Sequence, residues 1–349
     1  MVARIAAMRP YCLVLLCLCF ATSGWAQNTL RVYSIDVEGG KSTLYVSPSG
    51  ETMLVDAGYA GHQGRDVNRI LRAAKDAGVT KIDYLVVTHF HQDHMGGVPA
   101  IAAKLPVAHF IDHGKNFETV KDTAALLSSY TAVRDKSPHT TVKAGDTIPI
   151  RGIAVEVVTA AGVAIESPLP GQGQPNPLCA SYKPIEADTG ENAHSIGMVI
   201  TFGNFRMVDL GDLYWNQEHD LACPVNKIGP VDVYMTTHHG TKTSGSPQMV
   251  HALHPRVAIM NNGPTKGGSV KAWETIESSP GLIDLWQLHY SLSGGKEHNV
   301  AEQFIANPIL TPDQESADPG EWIKMSAQND GTFTVENNRN HFQKTYPKN

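Results

Sequence analysis

Apolar and polar positions alternate along this chain in short blocks that predict strands separated by helices. Residues 30–37 alternate with period two and read as a strand, and Gly39-Gly40 then permits a tight turn. Residues 43–46 and 53–55 continue the sheet pattern across a Ser49-Gly50 turn. Over 66–77 the period lengthens: Val67, Ile70, Leu71 and Ala74 form one helical stripe, which Gly78 ends. Residues 82–87 form a compact apolar strand that runs directly into Thr88-His89. A short helix is predicted over 99–103, a strand over 107–111, a helix over 119–130 and a strand over 153–158. Periodicity is then lost between Ala160 and Asn192, where Pro168-Leu169-Pro170-Gly171-Gln172-Gly173 marks a long surface loop.

The second half repeats this grammar. Strands are predicted over 196–202 and 205–210 around a Gly203-Asn204 turn, and over 231–236, ending in Thr237-His238-His239. Residues 257–260 and 282–288 read as buried strands on either side of a helix over 270–276. Residues 322–327 and 332–336 flank Asn329-Asp330-Gly331 as a hairpin. Strands alternating with helices in both halves predict a layered α/β fold with mixed sheets.

Composition refines the picture at the start of the chain. Arg4 and Arg9 precede an apolar run over 11–21, with Gly24 and Ala26 as small residues beyond it, the order of a secretory signal peptide over 1–26. The run is shorter than the roughly 20 residues that span a bilayer, so no permanent membrane insertion is expected. Export would place the mature chain, residues 27–349, in a periplasmic or extracellular compartment. Removing the signal moves the formal charge from −6 to −8, which gives no basic footprint for a stable nucleic-acid partner. Of the five cysteines only Cys179 and Cys223 remain after residue 26, and export would permit a disulfide between them, with two independent buried thiols as the alternative.

The strongest chemical signal is Thr88-His89-Phe90-His91-Gln92-Asp93-His94-Met95-Gly96-Gly97. Three imidazoles and a carboxylate within six residues, just past an apolar strand, can converge on one centre. That donor set suits a divalent metal ion, zinc first, with manganese or iron as alternatives. The paired glycines let the backbone bend closely around the site.

This segment resembles the His-x-His-x-Asp-His motif of the metallo-β-lactamase superfamily. Asp36-Val37-Glu38-Gly39-Gly40, Leu54-Val55-Asp56-Ala57-Gly58, Leu210-Gly211-Asp212 and Thr237-His238-His239-Gly240 follow in the family's order. The nearer resemblance is to the branch with the hydrolase domain of competence-type DNA-uptake proteins and the phosphorylcholine esterases. That branch carries Asp-Val-Gly-Gln-Gly-Asp where this chain has Asp36-Val37-Glu38-Gly39-Gly40, which weakens the transfer of a nuclease role. The resemblance implies an αβ/βα sandwich with two mixed sheets over 27–349. It also implies His89 and His91 as ligands of a first metal, Asp93 and His94 of a second, and Asp212 as the bridging carboxylate. His238 is favoured over His239 as the terminal ligand. His194 is a candidate third donor to the first metal, with an outer supporting role as the alternative, while Asn192 and Ser195 match an Asn and Ser of the branch. Asp56 would orient a histidine.

The expected chemistry is hydrolysis by a hydroxide formed on the metal, with Asp93 orienting the nucleophile and His239 or His238 moving protons. A small phosphodiester or related phosphorylated substrate is the preferred class, with β-lactamase or lactonase activity, or a non-catalytic metal-binding protein, as alternatives. Lys266-Gly267-Gly268 could meet an anionic group, and His289 or His298 could approach from a late loop, with a surface or supporting role as the favoured alternative for each.

Overall fold

The computed structural model describes residues 28–118, 121–308 and 318–348, so the expected signal over 1–26 and the first two positions of the helix expected from Thr119 lie outside the described residues. Two large mixed sheets face one another. The first runs, in spatial order, Gln343–Tyr346, Phe333–Asn337, Ile323–Gln328, Thr29–Ser34, Thr43–Val46, Thr52–Val55, Ile82–Val86, Val107–Asp112 and His139–Thr141. The second runs Ile305–Asn307, Asp284–His289, Val257–Met260, Val233–Met235, Phe205–Asp209, Gly197–Phe202, Ala154–Ala160 and Val163–Ala164.

Strand alternation divides the core into three layers. Leu30, Val32, Met53, Val55 and Val86 point from the first sheet toward Met198, Ile200, Met207, Val233 and Met235 of the second. The intervening residues Tyr33, Leu44, Leu54 and Leu85 pack outward onto Val67, Ile70, Ala73 and Ala74 of the helix Arg65–Asp76. On the far side, Val199, Val208, Tyr234 and Ala258 meet Leu221, Met249, Leu253 and Ile276 of the helices Trp215–Ala222, Pro247–Leu253 and Val270–Glu277. Period-two alternation in both sheets thus yields an αβ/βα sandwich. Among the described residues, no helix is long and apolar enough to cross a membrane.

The long excursion after the Ala154–Ala160 strand is not structureless. Its Gln174–Pro175 segment pairs with Val225–Asn226, and a disulfide joins Cys179 to Cys223 at the end of the helix Trp215–Ala222.

The sheets are also clamped near their strand ends. His289, ending its strand in the second sheet, bonds Asp36 just beyond the first strand of the other sheet (2.6 Å), and Arg69 holds Asp36 from the opposite side. Burial alone would lower the His289 pKa, but the charge and hydrogen bond of Asp36, with Glu38, raise it. For Asp36, burial raises the pKa but is outweighed by His289 and Arg69, which depress it. A raised histidine pKa stabilises the fold fully below the ordinary value of about 6.5, and that contribution fades as pH climbs through the raised value. The depressed Asp36 stabilises above the ordinary carboxylate range and stops doing so as pH falls through its own value. The thermal midpoint measured against pH should therefore fall more steeply on the alkaline side in the wild type than in His289→Gln. Parallel curves would remove this clamp from the stability account.

Candidate metal centre

Each site residue sits where a strand ends. The parallel strands Thr52–Val55 and Ile82–Val86 deliver Asp56 and His89, and the parallel pair Phe205–Asp209 and Val233–Met235 delivers Asp212 and His239. One short helical turn, Gln92–Met95, lifts Asp93 and His94 inward, both buried. Gly96 and Gly97 follow in ordinary right-handed backbone. Their requirement is space: a Cβ on Gly97 would lie 2.0 Å from the Ala57 carbonyl oxygen, and one on Gly96 2.3 Å from that of Gln92.

Asp93, His94, Asp212 and His239 form a buried group whose donor atoms all lie within 4.8 Å of one another. His94 Nε2 is 3.2 Å from Asp212 Oδ2 and 3.3 Å from Asp93 Oδ2, while His239 Nε2 is 3.3 Å and 3.4 Å from the same two oxygens. Beside them His89 Nε2 and His91 Nδ1 converge to 3.0 Å, and His89 Nε2 lies 4.0 Å from Asp212 Oδ2. Two buried atoms, His239 Nε2 and Asp212 Oδ1, have no hydrogen-bond partner. Polar atoms are rarely left so in a folded interior, and both of these belong to the buried group. The residues present fit a divalent metal.

Outer contacts fix which nitrogen faces inward. Asp56 accepts His94 Nδ1–H at 2.8 Å and is itself held by Thr88 N and Thr88 Oγ1 at 2.8 and 2.7 Å, so His94 presents Nε2. The Asn261 carbonyl faces His239 Nδ1 at 3.3 Å to the same effect. Glu118 Oε1 faces His91 Nε2 at 3.2 Å, leaving Nδ1 to point inward. Asp56, His238 and His239 all have positive φ, a strain that the surrounding bonds sustain. Asn tolerates positive φ, so Asp56→Asn should keep the fold. It should weaken metal binding by about 10–100-fold, read by titration against a chelator; unchanged affinity would dismiss its orienting role.

The site keeps its carboxylates ionised and pulls its histidines in opposite directions. Burial pushes the Asp212 carboxyl up, but His239, His94 and His238 hold it well below the usual range; Asp93 is held low against burial by His94, His239 and Lys266. Burial, then His94, drives His89 well below the ordinary histidine value, whereas Asp212, Asp93 and Asp56 overcome burial to raise His94. Burial takes His238 down to about 4.

The structure brings together most, not all, of the residues singled out from sequence. His239 belongs to the buried group, while His238, 12% exposed, lies 3.6 Å from Asp212 Oδ2 with its ring stacked on Tyr214. His194 stands apart from the group: it stacks on Phe117 at 3.5 Å between ring centres, and its Nδ1 bonds the Gly190 carbonyl at 2.6 Å. Ser195 links the two halves of the site, its Oγ accepting Asp212 N (3.1 Å) and lying 3.4 Å from His89 Nδ1. Asn192 is buried with its Nδ2 at 3.5 Å from the Tyr214 hydroxyl. Lys266 pairs with Asp93. His289 belongs to the Asp36 clamp, and His298 is held by Gly294 and Trp273. Sequence reasoning missed Glu191, whose carboxylate ties Phe90 N, Phe117 N and His113 Nε2, and Lys41, buried on Asp209.

Two facing mixed sheets with a buried Asp/His group at their strand ends define a metal-binding αβ/βα sandwich. Residues 35–168 match the family described as the Metallo-beta-lactamase superfamily. The buried group is the metal-binding cluster typical of its hydrolases. Recombination protein 2 of Haemophilus influenzae is 24% identical over 244 residues, covering 68% of this chain and 25% of its own. A metal-dependent hydrolase of Staphylococcus carnosus is 37% identical over 65 residues, 19% of this chain and 25% of its own. The chain thus spans a quarter of the length of these curated relatives. Among solved structures, a metallo hydrolase from Ignicoccus hospitalis superposes with a TM-score of 0.43 at 12% identity, over 85% of this chain and 98% of its own.

Proposed function

We propose that this chain is an exported metal-dependent hydrolase acting on a phosphodiester or related phosphorylated compound. The observation that carries the hydrolase role is the buried group of Asp93, His94, Asp212 and His239 with two donor atoms that no protein partner satisfies. These four would hold one ion, and His89 and His91, sharing Asp212, a second. When bound, such ions acidify a water molecule and polarise a phosphoryl or carbonyl oxygen.

The chain's own residues have distinct tasks. Asp56, Asn261 and Glu118 fix the tautomers of His94, His239 and His91. Asp93 offers a carboxylate kept ionised at neutral pH, suited to orient an attacking water. His238 sits beside the group rather than within it, near Asp212, which places it where a proton could be exchanged with substrate or water. With His194 turned onto Phe117, the His89 and His91 position has fewer donors than its neighbour, which supports weaker filling of that second position.

The phosphorylated class is supported by the resemblance to the phosphorylcholine esterase branch and by Lys266, a cation beside Asp93. Export is supported by the basic and apolar start of the chain and by the Cys179 to Cys223 disulfide, a bond that persists in oxidising compartments. Metal content measured alongside hydrolysis of a phosphodiester, a β-lactam and a lactone tests the proposal. Turnover of the diester with bound metal is expected. Turnover of a lactam or lactone alone would reject the substrate class, and no metal with no turnover after metal supplementation would reject the hydrolase.

A further inference from the structure

The loop over 262–268 is built to hold a single charged side chain at the metal centre. Gly263 N donates to the Lys266 carbonyl (2.8 Å), Leu292 N to that of Pro264 (2.9 Å) and Gly268 N to that of His239 (3.0 Å). Gly267 and Gly268 have φ of +79° and +56°. A Cβ on Gly267 would lie 2.1 Å from the His239 carbonyl oxygen, and one on Gly39 would lie 2.9 Å from Lys266 Cβ. The loop is therefore wedged between the backbone of His239 and the turn at Gly39, with no slack in either direction. From this support Lys266 reaches Asp93 Oδ2 while its side chain stays 35% exposed.

Two cations in the adjoining elements are already committed. Lys41 is buried on Asp209, and Arg69 is divided among Asp36, Glu38 and Asp318. Lys266 differs from both in having its side chain open to solvent at the cluster. An ammonium offers three donors, and one pairing with Asp93 leaves two for an incoming oxygen.

We propose that Lys266 anchors an anionic phosphoryl oxygen of the substrate, so that the site selects compounds with negative charge next to the bond to be broken. This rests on the proposed hydrolase role and specifies its substrate. A neutral ester or lactone offers no charged acceptor here and forgoes the stronger, charge-assisted bond. The rigid seating of the loop keeps the ammonium in place before the substrate arrives, which limits the ordering cost of binding.

Binding of inorganic phosphate to the zinc-loaded full chain, by calorimetry, tests this in the wild type, Lys266→Met and Lys266→Arg, with zinc per chain measured on the same samples. The expected result is retained zinc in all three, phosphate affinity at least about tenfold weaker in Lys266→Met, and a smaller loss in Lys266→Arg. Unchanged phosphate affinity with full zinc overturns the proposal. So does a loss that tracks missing zinc, which would make Lys266 a support for Asp93 alone. Lys266→Gln serves the same measurement if Lys266→Met does not fold. Acetate as a second probe, if its affinity falls further than that of phosphate, overturns the phosphoryl assignment in favour of a carboxylate. No turnover enters these readings, so a wild type inactive on phosphodiesters whose phosphate binding still depends on Lys266 would reject the proposed function and leave the anchor standing.

Discussion

Asp212→Ala is expected to abolish tight metal binding and hydrolysis together. Its Oδ2 lies 3.2 Å from His94 Nε2, 3.3 Å from His239 Nε2 and 4.0 Å from His89 Nε2, so one oxygen borders both histidine groups. Its Oδ1 is buried with no partner. A carboxylate so placed can serve two cations at once, and alanine offers neither oxygen. Loss of an outer orienting residue typically costs 10–100-fold, so loss of a ligand common to both positions should lower kcat/KM by more than about 100-fold. Zinc per chain should fall in parallel. The hydrogen bond from the residue 212 backbone to Ser195 is independent of the side chain, and an unchanged circular dichroism spectrum would exclude unfolding as the cause. Near-normal zinc content and turnover would remove Asp212 from the metal-holding set.

The same geometry explains which parts of the site could be read from sequence. His89 to His94 were legible because their spacing is local: one strand end and one helical turn bring them together. The order of the later segments then pointed to Asp56 and Asp212. The choice between His238 and His239 could not be made from adjacent identical residues, since it depends on two consecutive positive-φ positions and on the Asn261 carbonyl opposite one ring. Glu191 and Lys41 were invisible for a different reason. Their partners lie 101 and 168 positions away, at Phe90 and Asp209, so nothing in their immediate neighbourhood marks them.

The fold shows the same division. Continuous apolar runs and clear periods gave the central strands and the helix Arg65–Asp76 to within a few residues. The helix Trp215–Ala222 went unrecognised because its sequence, WNQEHDLA, carries a weak stripe and buries Glu218, whose carboxylate caps the backbone of Gly245 and Ser246. The edge strands His139–Thr141 and Gln343–Tyr346 are short and largely exposed, so no alternation distinguishes them from loop. The helix Pro247–Leu253 did carry its start signal, a Ser246 cap followed by proline, and that signal was passed over.

Lys41→Met is expected to be the most destabilising single change outside the hydrophobic core. Lys41 is 1% exposed and pairs with Asp209, which is fully buried at the end of a strand in the opposite sheet. Asp209 also accepts Tyr45 Oη–H (3.3 Å) and Gly211 N (3.2 Å), so its charge depends on Lys41 while its lone pairs are partly satisfied otherwise. Methionine keeps the stem and removes the ammonium, stranding a buried carboxylate. Breaking a buried pair in this way costs about 3–5 kcal/mol, which for a chain of this size corresponds to a drop in Tm on the order of 10 °C. The effect should reach the metal centre as well. Lys41 N donates to the Asp93 carbonyl, and Asp209 lies three residues before Asp212, so a loosened pair loosens both walls of the site. Adding Asp209→Leu to Lys41→Met removes the stranded charge and should recover part of the stability, though not the bonds to Tyr45 and Gly211. Strictly additive losses in the double variant, seen by thermal unfolding, would show that the two residues do not act as a pair.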